Sequence, residues 1–253
     1  HLTYLKLRVS YFLKPEDAAL MPRSLTFANF SFPCDSDAQL FKALPRSLQA
    51  VQHLINVDLV PHLPPELRTM TLKIENSVLK SFLPPRLHSL FVSEITSESV
   101  QYFPRTLTCI DINKGSLSPS AMAQLPPFLR YFTAGGDVVL DSADCFRLAP
   151  QSITSYTIRN IGGVLALGTE SSKWFSRNLL FLEIFSCNVG LGWFNGLPAS
   201  LKTIDLGLPT LSEEEMENLA KACPSLKVVF FKVNSEQNSI ATLLKHMPRC
   251  CES

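Results

Sequence analysis

Apolar residues recur in this sequence as a three-part figure, at the first, fourth and sixth places of a short segment. Openings stand at Leu2, Leu25, Leu48, Leu67, Leu87, Leu107, Leu129, Ile153, Leu179, Leu201 and Leu226. The steps between them run from 19 to 26 residues and average about 22. Leu2/Leu5/Leu7, Leu67/Met70/Leu72, Leu107/Ile110/Ile112 and Leu179/Leu182/Ile184 carry the figure in full. The spacing of two between its last places predicts an extended segment with one buried face. Self-similarity over 20–29 residues predicts a solenoid in which each unit supplies one strand and one return. Leu197–Phe231 shows a whole unit. A strand at Leu201–Leu206 is followed by a helical run at Glu213–Ala222, a stop at Cys223-Pro224 and a new opening at Leu226.

Proline punctuates the pattern. MPRSL, LPRSL, LPPEL, LPPRL, FPRTL, LPPFL, APQSI and LPASL place Pro three residues before the opening, and CPSL is one residue shorter. The returns differ in length. Lys14–Pro22, Ser36–Pro45, Ser118–Pro126, Asp141–Pro150, Ser212–Pro224 and Ser239–Met247 read as short helices. Pro15 suits an early helical position, Ser36 with Gln39 and Ser212 with Glu215 suit capping boxes, and Asp141 suits an N-cap. The 19- and 20-residue steps from Leu48, Leu67 and Leu87 leave room only for 3₁₀ or extended returns. His53 and Leu54 predict an irregular strand in the Leu48 repeat, with Asn56 at its ninth place. Gly162-Gly163 and Gly168 predict loop around a short apolar patch, and Trp174-Phe175 a core position where other repeats have Leu-Pro.

These motifs resemble the leucine-rich repeat family. LLFLEIFSCNV (Leu179–Val189) matches LxxLxLxxNxL with Cys187 at the asparagine place, and Leu226/Val229/Phe231/Asn234 fits the first four of its positions. Pro33, Ile95, Ile161 and Pro209 occupy the ninth place elsewhere, so the family's asparagine ladder is broken. The Pro-x-x-Leu punctuation resembles the short repeats of bacterial effectors and protist proteins. SEEEMENLAKACPSL resembles the ribonuclease-inhibitor-like and cysteine-containing classes. The resemblance implies an α/β solenoid, a right-handed horseshoe with a concave parallel β-sheet and short convex helices or 3₁₀ segments. It covers residues 1–253 as one domain of about eleven repeats. His1 in place of Met, and the lack of a clearly polar capping repeat at either end, predict a fragment of a larger protein.

Composition narrows the class. A chain that is 46% apolar can bury a substantial core, and a net charge of +1 gives no reason to expect nucleic acid or an acidic membrane. No run of 18 charge-free apolar residues suggests a membrane span, and the first residues carry the repeat spacing rather than a signal peptide. Seven unpaired-looking cysteines favour a reducing compartment, hence the cytoplasm. Asn29-Phe-Ser31 is a sequon on a predicted strand, a chance match. Neither GxGxxG nor GxxxxGK[ST] occurs, so no cofactor is expected. The five histidines lack metal-ligand spacing, so neither metal binding nor enzyme activity is expected.

The third, fifth and seventh places of each strand face outward across the concave side. Two aromatic groups stand out there. One is Phe91 and Tyr131 with Cys109 between them. The other is Phe181, Phe185 and Phe230 with Val228, rimmed by Arg159, Glu183 and Asp205. Exposed aromatics on a rigid sheet suit a protein interface. The reading is a non-enzymatic protein–protein interaction scaffold that binds a protein or peptide on its concave face. The alternative is the substrate-recognition arm of a larger multidomain protein such as a ubiquitin ligase. Nucleic-acid recognition would need a connected basic stripe, whereas Arg8, Lys73, Arg159 and Lys232 are several repeats apart in one column.

Overall fold

The computed structural model describes residues 2–6, 14–29, 38–73, 79, 81–159, 165–185, 187–189, 192–207 and 212–230. Each of the eleven repeat openings becomes a strand, and two further short strands bring the described strands to thirteen. These are β1 (Tyr4–Lys6), β2 (Phe27–Asn29), β3 (Ala50–Asn56), β4 (Thr69–Lys73), β5 (Ser89–Val92), β6 (Cys109–Leu117) and β7 (Tyr131–Leu140). They continue as β8 (Ser155–Ile158), β9 (Leu165–Leu167), β10 (Phe181–Ile184), β11 (Cys187–Val189), β12 (Thr203–Asp205) and β13 (Val228–Phe230). Eleven of them form one parallel sheet in chain order, with β9 and β11 set apart as a second parallel pair. The sheet's apolar places are sealed in. Leu25, Leu48, Leu67, Leu87, Leu107 and Leu129 all have no exposed surface.

The Pro-x-x-Leu motif is a four-residue turn. The opening N–H donates to the carbonyl three residues earlier, as in Leu25 N to Pro22 O (3.0 Å), Leu107 N to Pro104 O (3.2 Å) and Leu201 N to Pro198 O (3.1 Å). Proline at the first place gives up no donor that the turn needs. In CPSL the same turn runs from Cys223 O to Leu226 N (3.1 Å), so proline has moved to the second place while the turn has kept its length. Ser176 takes the proline place before Leu179. Phe175, not Trp174, therefore fills the leucine place. Phe175 is buried and Trp174 is packed at the core's margin.

Coils are tied together at these turns. Ser47 Oγ lies 2.6 Å from Arg23 O and 2.7 Å from Leu25 O, donating to the turn one repeat earlier. Thr106 does the same to Pro85 O and Leu87 O, and Ser200 to Arg177 O and Leu179 O. Ser24 and Ser152 each reach one carbonyl. Hydroxyls on the strand-entry edge thus tie these coils to the ones before them.

The returns follow their lengths. Helices α1 (Pro15–Ala19), α2 (Ala38–Ala43), α3 (Pro119–Gln124), α4 (Asp144–Leu148) and α5 (Glu213–Ala222) fall where the sequence predicts them. Pro15 begins α1, and Ser212 with Glu215 forms the capping box of α5. Asp141 does not cap α4. Ala143 stands at that N-cap, Ser142 Oγ accepts from Asp144 N (3.3 Å), and Asp141 Oδ1 accepts from Ser116 Oγ (2.7 Å). Short returns at Val57–His62 and Ser97–Tyr102 are 3₁₀, as are Ser171–Trp174 and Trp193–Gly196. Leu165–Leu167, in the apolar patch before Gly168, is β9. The Ser36 cap, the helix at 239–247, Asn234 and the prolines and isoleucine at 33, 161 and 209 lie outside the described residues.

Two irregularities shape the sheet. Between β3 and β4 the register shifts, so that Ala50 pairs with Thr69 but Leu54 with Thr71 and Ile55 with Leu72. Ile55 therefore takes the buried sixth place, and Asn56 lies opposite Lys73, at the seventh place rather than the ninth. Between β6 and β7 the register shifts after Ile112, where Gly136 has φ +57° and abuts the Asn113 carbonyl, leaving no space for a side chain. In the later repeats aromatic residues fill the core. Phe132, Tyr156, Phe146, Phe175 and Trp193 follow one another at ring separations of 5.0–6.1 Å. The indole N–H of Trp193 donates to Ser171 Oγ (3.1 Å).

Candidate functional site

Strand register assembles the concave surface into rows. The third places run Cys109–Tyr131–Ser155–Phe181–Thr203–Val228 from strand to strand. The fifth places run Phe91–Asp111–Thr133–Thr157–Glu183–Asp205–Phe230. Adjacent parallel strands lie ~4.8 Å apart, so Phe181 and Val228 are roughly 10 Å apart in their row. Phe230 is 55% exposed and Val228 39%, while Phe181 is half-buried. Tyr131 (53%) and Phe91 (40%) are also exposed, on strands separated by β6, with half-buried Cys109 between them.

The charged residues do not form a loose rim. Arg159 Nε donates to Glu183 Oε1 (2.5 Å) and its Nη2 to Oε2 (3.2 Å), a bidentate pair across β8 and β10. The Glu183 side chain is 8% exposed and that of Arg159 59%. Glu183 is thus the buried anchor, and Arg159 is the face shown to solvent. Hydrogen bonding to Glu183, with added attraction from Asp111 and Asp205, pushes the Arg159 guanidinium further up from its ordinary value. Asp111 is half-buried. Burial pushes its carboxyl above the usual range, partly opposed by Arg159. Burial and the Asp111 charge together push the Cys109 thiol up.

Gly207 packs against the same surface. It has φ +49°, and a Cβ there would run into the Phe185 ring. Asp205 Oδ1 accepts from Gly207 N (3.3 Å), holding that turn. Phe185 is therefore half-buried against backbone, so it belongs to the floor of the site more than to its rim. Sequence reading left out the roles of Asp111 and Gly207. Asp111's signal was its place in the fifth row, in register with Glu183 and Asp205.

Asp111 and Asp205 are separated by β7, β8 and β10, roughly 19 Å by strand spacing. They converge on Arg159 through its field and not as a carboxylate pair. Among the described residues, no group of three or more His, Cys, Asp or Glu is arranged to hold a metal ion. No helix among them is long and apolar enough to cross a membrane.

The same strand-and-return architecture occurs in CroV588, described as a novel circular LRR protein structure. The alignment covers 87% of this chain at 17% identity with a TM-score of 0.53, and spans 32% of that chain. The fold is a leucine-rich repeat solenoid. The leucine-rich repeat-containing protein LegL7 from Legionella pneumophila aligns over 100% of this chain and 91% of its own, at 14% identity and a TM-score of 0.46. This leucine-rich repeat chain spans about a third of the length of CroV588. No protein-family model matches it, and no curated protein matches it by sequence.

Proposed function

We propose that this leucine-rich repeat chain is a non-catalytic protein-binding scaffold whose principal site is the C-terminal half of the concave sheet. The observation that carries this is that Phe181 of β10 and Val228 of β13 share one row across β12, with Phe230 of β13 in the next row, beside the fixed Arg159–Glu183 pair. Apolar groups on parallel strands lose little conformational freedom on binding, which favours them as anchors. Asp205 and Asp111 give the row a net negative character around one buried, paired glutamate. The partner is therefore a protein segment that presents apolar side chains next to a lysine or arginine. Phe91 and Tyr131 form a second, smaller contact area on the same face.

Crosslinking pull-down from native extract tests the reading. The intact chain is compared with Phe181→Ser/Phe230→Ser, after both give the same thermal melt. Loss of two anchor residues should weaken a genuine concave partner by at least ~30-fold, since hot-spot truncations are worth about 2 kcal/mol or more. Equal recovery of every crosslinked protein would remove the concave site.

A further inference from the structure

We infer that the strand-entry edge of the solenoid is a docking face for anionic phospholipid bilayers. This edge consists of the Pro-x-x-Leu turns and the second place of each strand segment. A continuous backbone ladder runs along it, in which Arg68 N donates to Gln49 O, His88 N to Arg68 O, Arg130 N to Thr108 O, Lys202 N to Leu180 O and Lys227 N to Lys202 O. The second places of successive repeats therefore form one row, at roughly 5 Å per repeat.

Charge is segregated onto that row. Arg23, Arg46, Arg86, Arg105 and Arg177 stand on the turns, and Arg68, Arg130, Lys202 and Lys227 on the second places; all are exposed. The edge thus holds nine of the chain's 23 Lys and Arg but only one of its 22 acidic residues, Glu66, which pairs with Arg86. Among the described residues every repeat from the second to the eleventh except the eighth presents at least one cation there. The net charge of +1 is the sum of this basic edge and an acidic remainder. At one end the edge opens into a cleft of about 430 Å³ between α1 and α2, lined by Arg23, Lys42 and Arg46 with Ser47 and without a carboxylate. That composition suits a phosphate headgroup.

Exposed apolar residues lie on this edge or directly beside it. Among the described residues, the three most exposed large hydrophobic side chains are Leu20 (84%), Phe82 (75%) and Phe128 (67%). Leu20 and Phe82 stand two residues before a turn proline, and Phe128 is in a turn itself. Cations beside protruding Leu and Phe match the two demands of a bilayer surface, attraction to headgroup phosphate and insertion at the acyl boundary. Nucleic acid fits less well. The cations follow an outer edge and not a groove, Leu20 offers no ring for base stacking, and the neighbouring concave face carries Asp111, Glu183 and Asp205.

The test is flotation of the 253-residue chain with vesicles of phosphatidylcholine alone or mixed with phosphatidylserine, at low and high salt. Anisotropy with single-stranded and duplex oligonucleotides is measured in the same low-salt buffer. Two variants carry equal charge loss, Arg23→Gln/Arg46→Gln/Arg68→Gln/Arg130→Gln on the edge and Lys14→Gln/Lys114→Gln/Lys173→Gln/Lys221→Gln elsewhere. A third, Leu20→Ser/Phe82→Ser/Phe128→Ser, removes the apolar contacts, and all are compared after matching thermal melts. Binding should require phosphatidylserine and weaken with salt. It should fall roughly 600-fold in the edge-charge variant, since each of the four cations near an anionic surface is worth roughly fivefold. The control-charge variant should lose less than a tenth of that, and the apolar variant should lose the binding that survives high salt. Equal flotation with neutral vesicles, equal loss in both charge variants, or tighter binding to an oligonucleotide would each overturn the proposal.

Discussion

Glu183 and Tyr156 are both buried polar residues, and they differ in whether they have a partner. Glu183 holds the guanidinium of Arg159 by two hydrogen bonds, whereas the buried Tyr156 hydroxyl has no hydrogen-bond partner among the described residues. Removing one member of a buried pair leaves the other uncompensated. Because Arg159 is more than half exposed, Arg159→Gln should cost about 2 kcal/mol, below the fully buried range, and Arg159→Gln/Glu183→Gln should recover most of it in urea unfolding. Tyr156→Phe should do the reverse. An unsatisfied buried hydroxyl costs roughly 1 kcal/mol, so the variant should melt about 2–4 °C higher. Burial also pushes the Cys223 thiol up to about 12. Its thiolate is therefore absent near pH 8, and alkylation of the native chain followed by peptide mapping should leave Cys223 unlabelled until the chain unfolds. The sequence identified the outward-facing residues here but not their pairing. Arg159 and Glu183 stand 24 residues apart, and only the ladder between β8 and β10 brings them together.

At the level of the element, the strands were legible because their apolar places have one solution, the period-two face turned toward the core. Helices α1 to α5 were legible for a similar reason, since long returns with capping residues leave one economical path. The hydroxyl at the third place of the turn was visible in PRSL, PRTL, PQSI and PASL, yet its partner is a carbonyl in the previous coil. No local rule announces that contact. Ser47→Ala/Thr106→Ala/Ser200→Ala should cost about 3 kcal/mol in total, at ~1 kcal/mol for each well-separated hydrogen bond, while Thr106→Ser should be close to neutral by the same melt. The bulge in β3 was signalled by His53 and Leu54, but its size was not. The extra residues that carry Ile55 to the buried place are fixed by pairing with β4, which defines where the ladder can resume. Asp141 shows the opposite failure. Its side chain was suited to cap α4, and a Ser116 hydroxyl across the coil took it instead.

For the whole molecule, stability depends on neighbours, because each coil buries its face only against the next. Ile110 has no exposed surface, whereas Val229, in the last described strand, is partly buried. Ile110→Ala should therefore cost about 3 kcal/mol and Val229→Ala about 1 kcal/mol in urea unfolding, since cavity cost follows how fully the side chain is enclosed. The same scale explains how a net charge of +1 and a basic edge coexist. Composition sums positive and negative residues, while the solenoid sorts them, placing cations of the Pro-x-x-Leu segments along one edge and most carboxylates elsewhere. The sequence by itself determined the repeat, the strand face, the return lengths and the rows of the concave sheet, because each follows from short-range apolar spacing and turn chemistry. Tertiary structure alone decided the Arg159–Glu183 pair, the hydroxyl ladder, the β3 and β6–β7 register shifts and the segregation of charge. Each of those depends on which residue of one coil lies beside which residue of the next. Coil-to-coil register is a property of the closed hydrogen-bond ladder and of no single repeat.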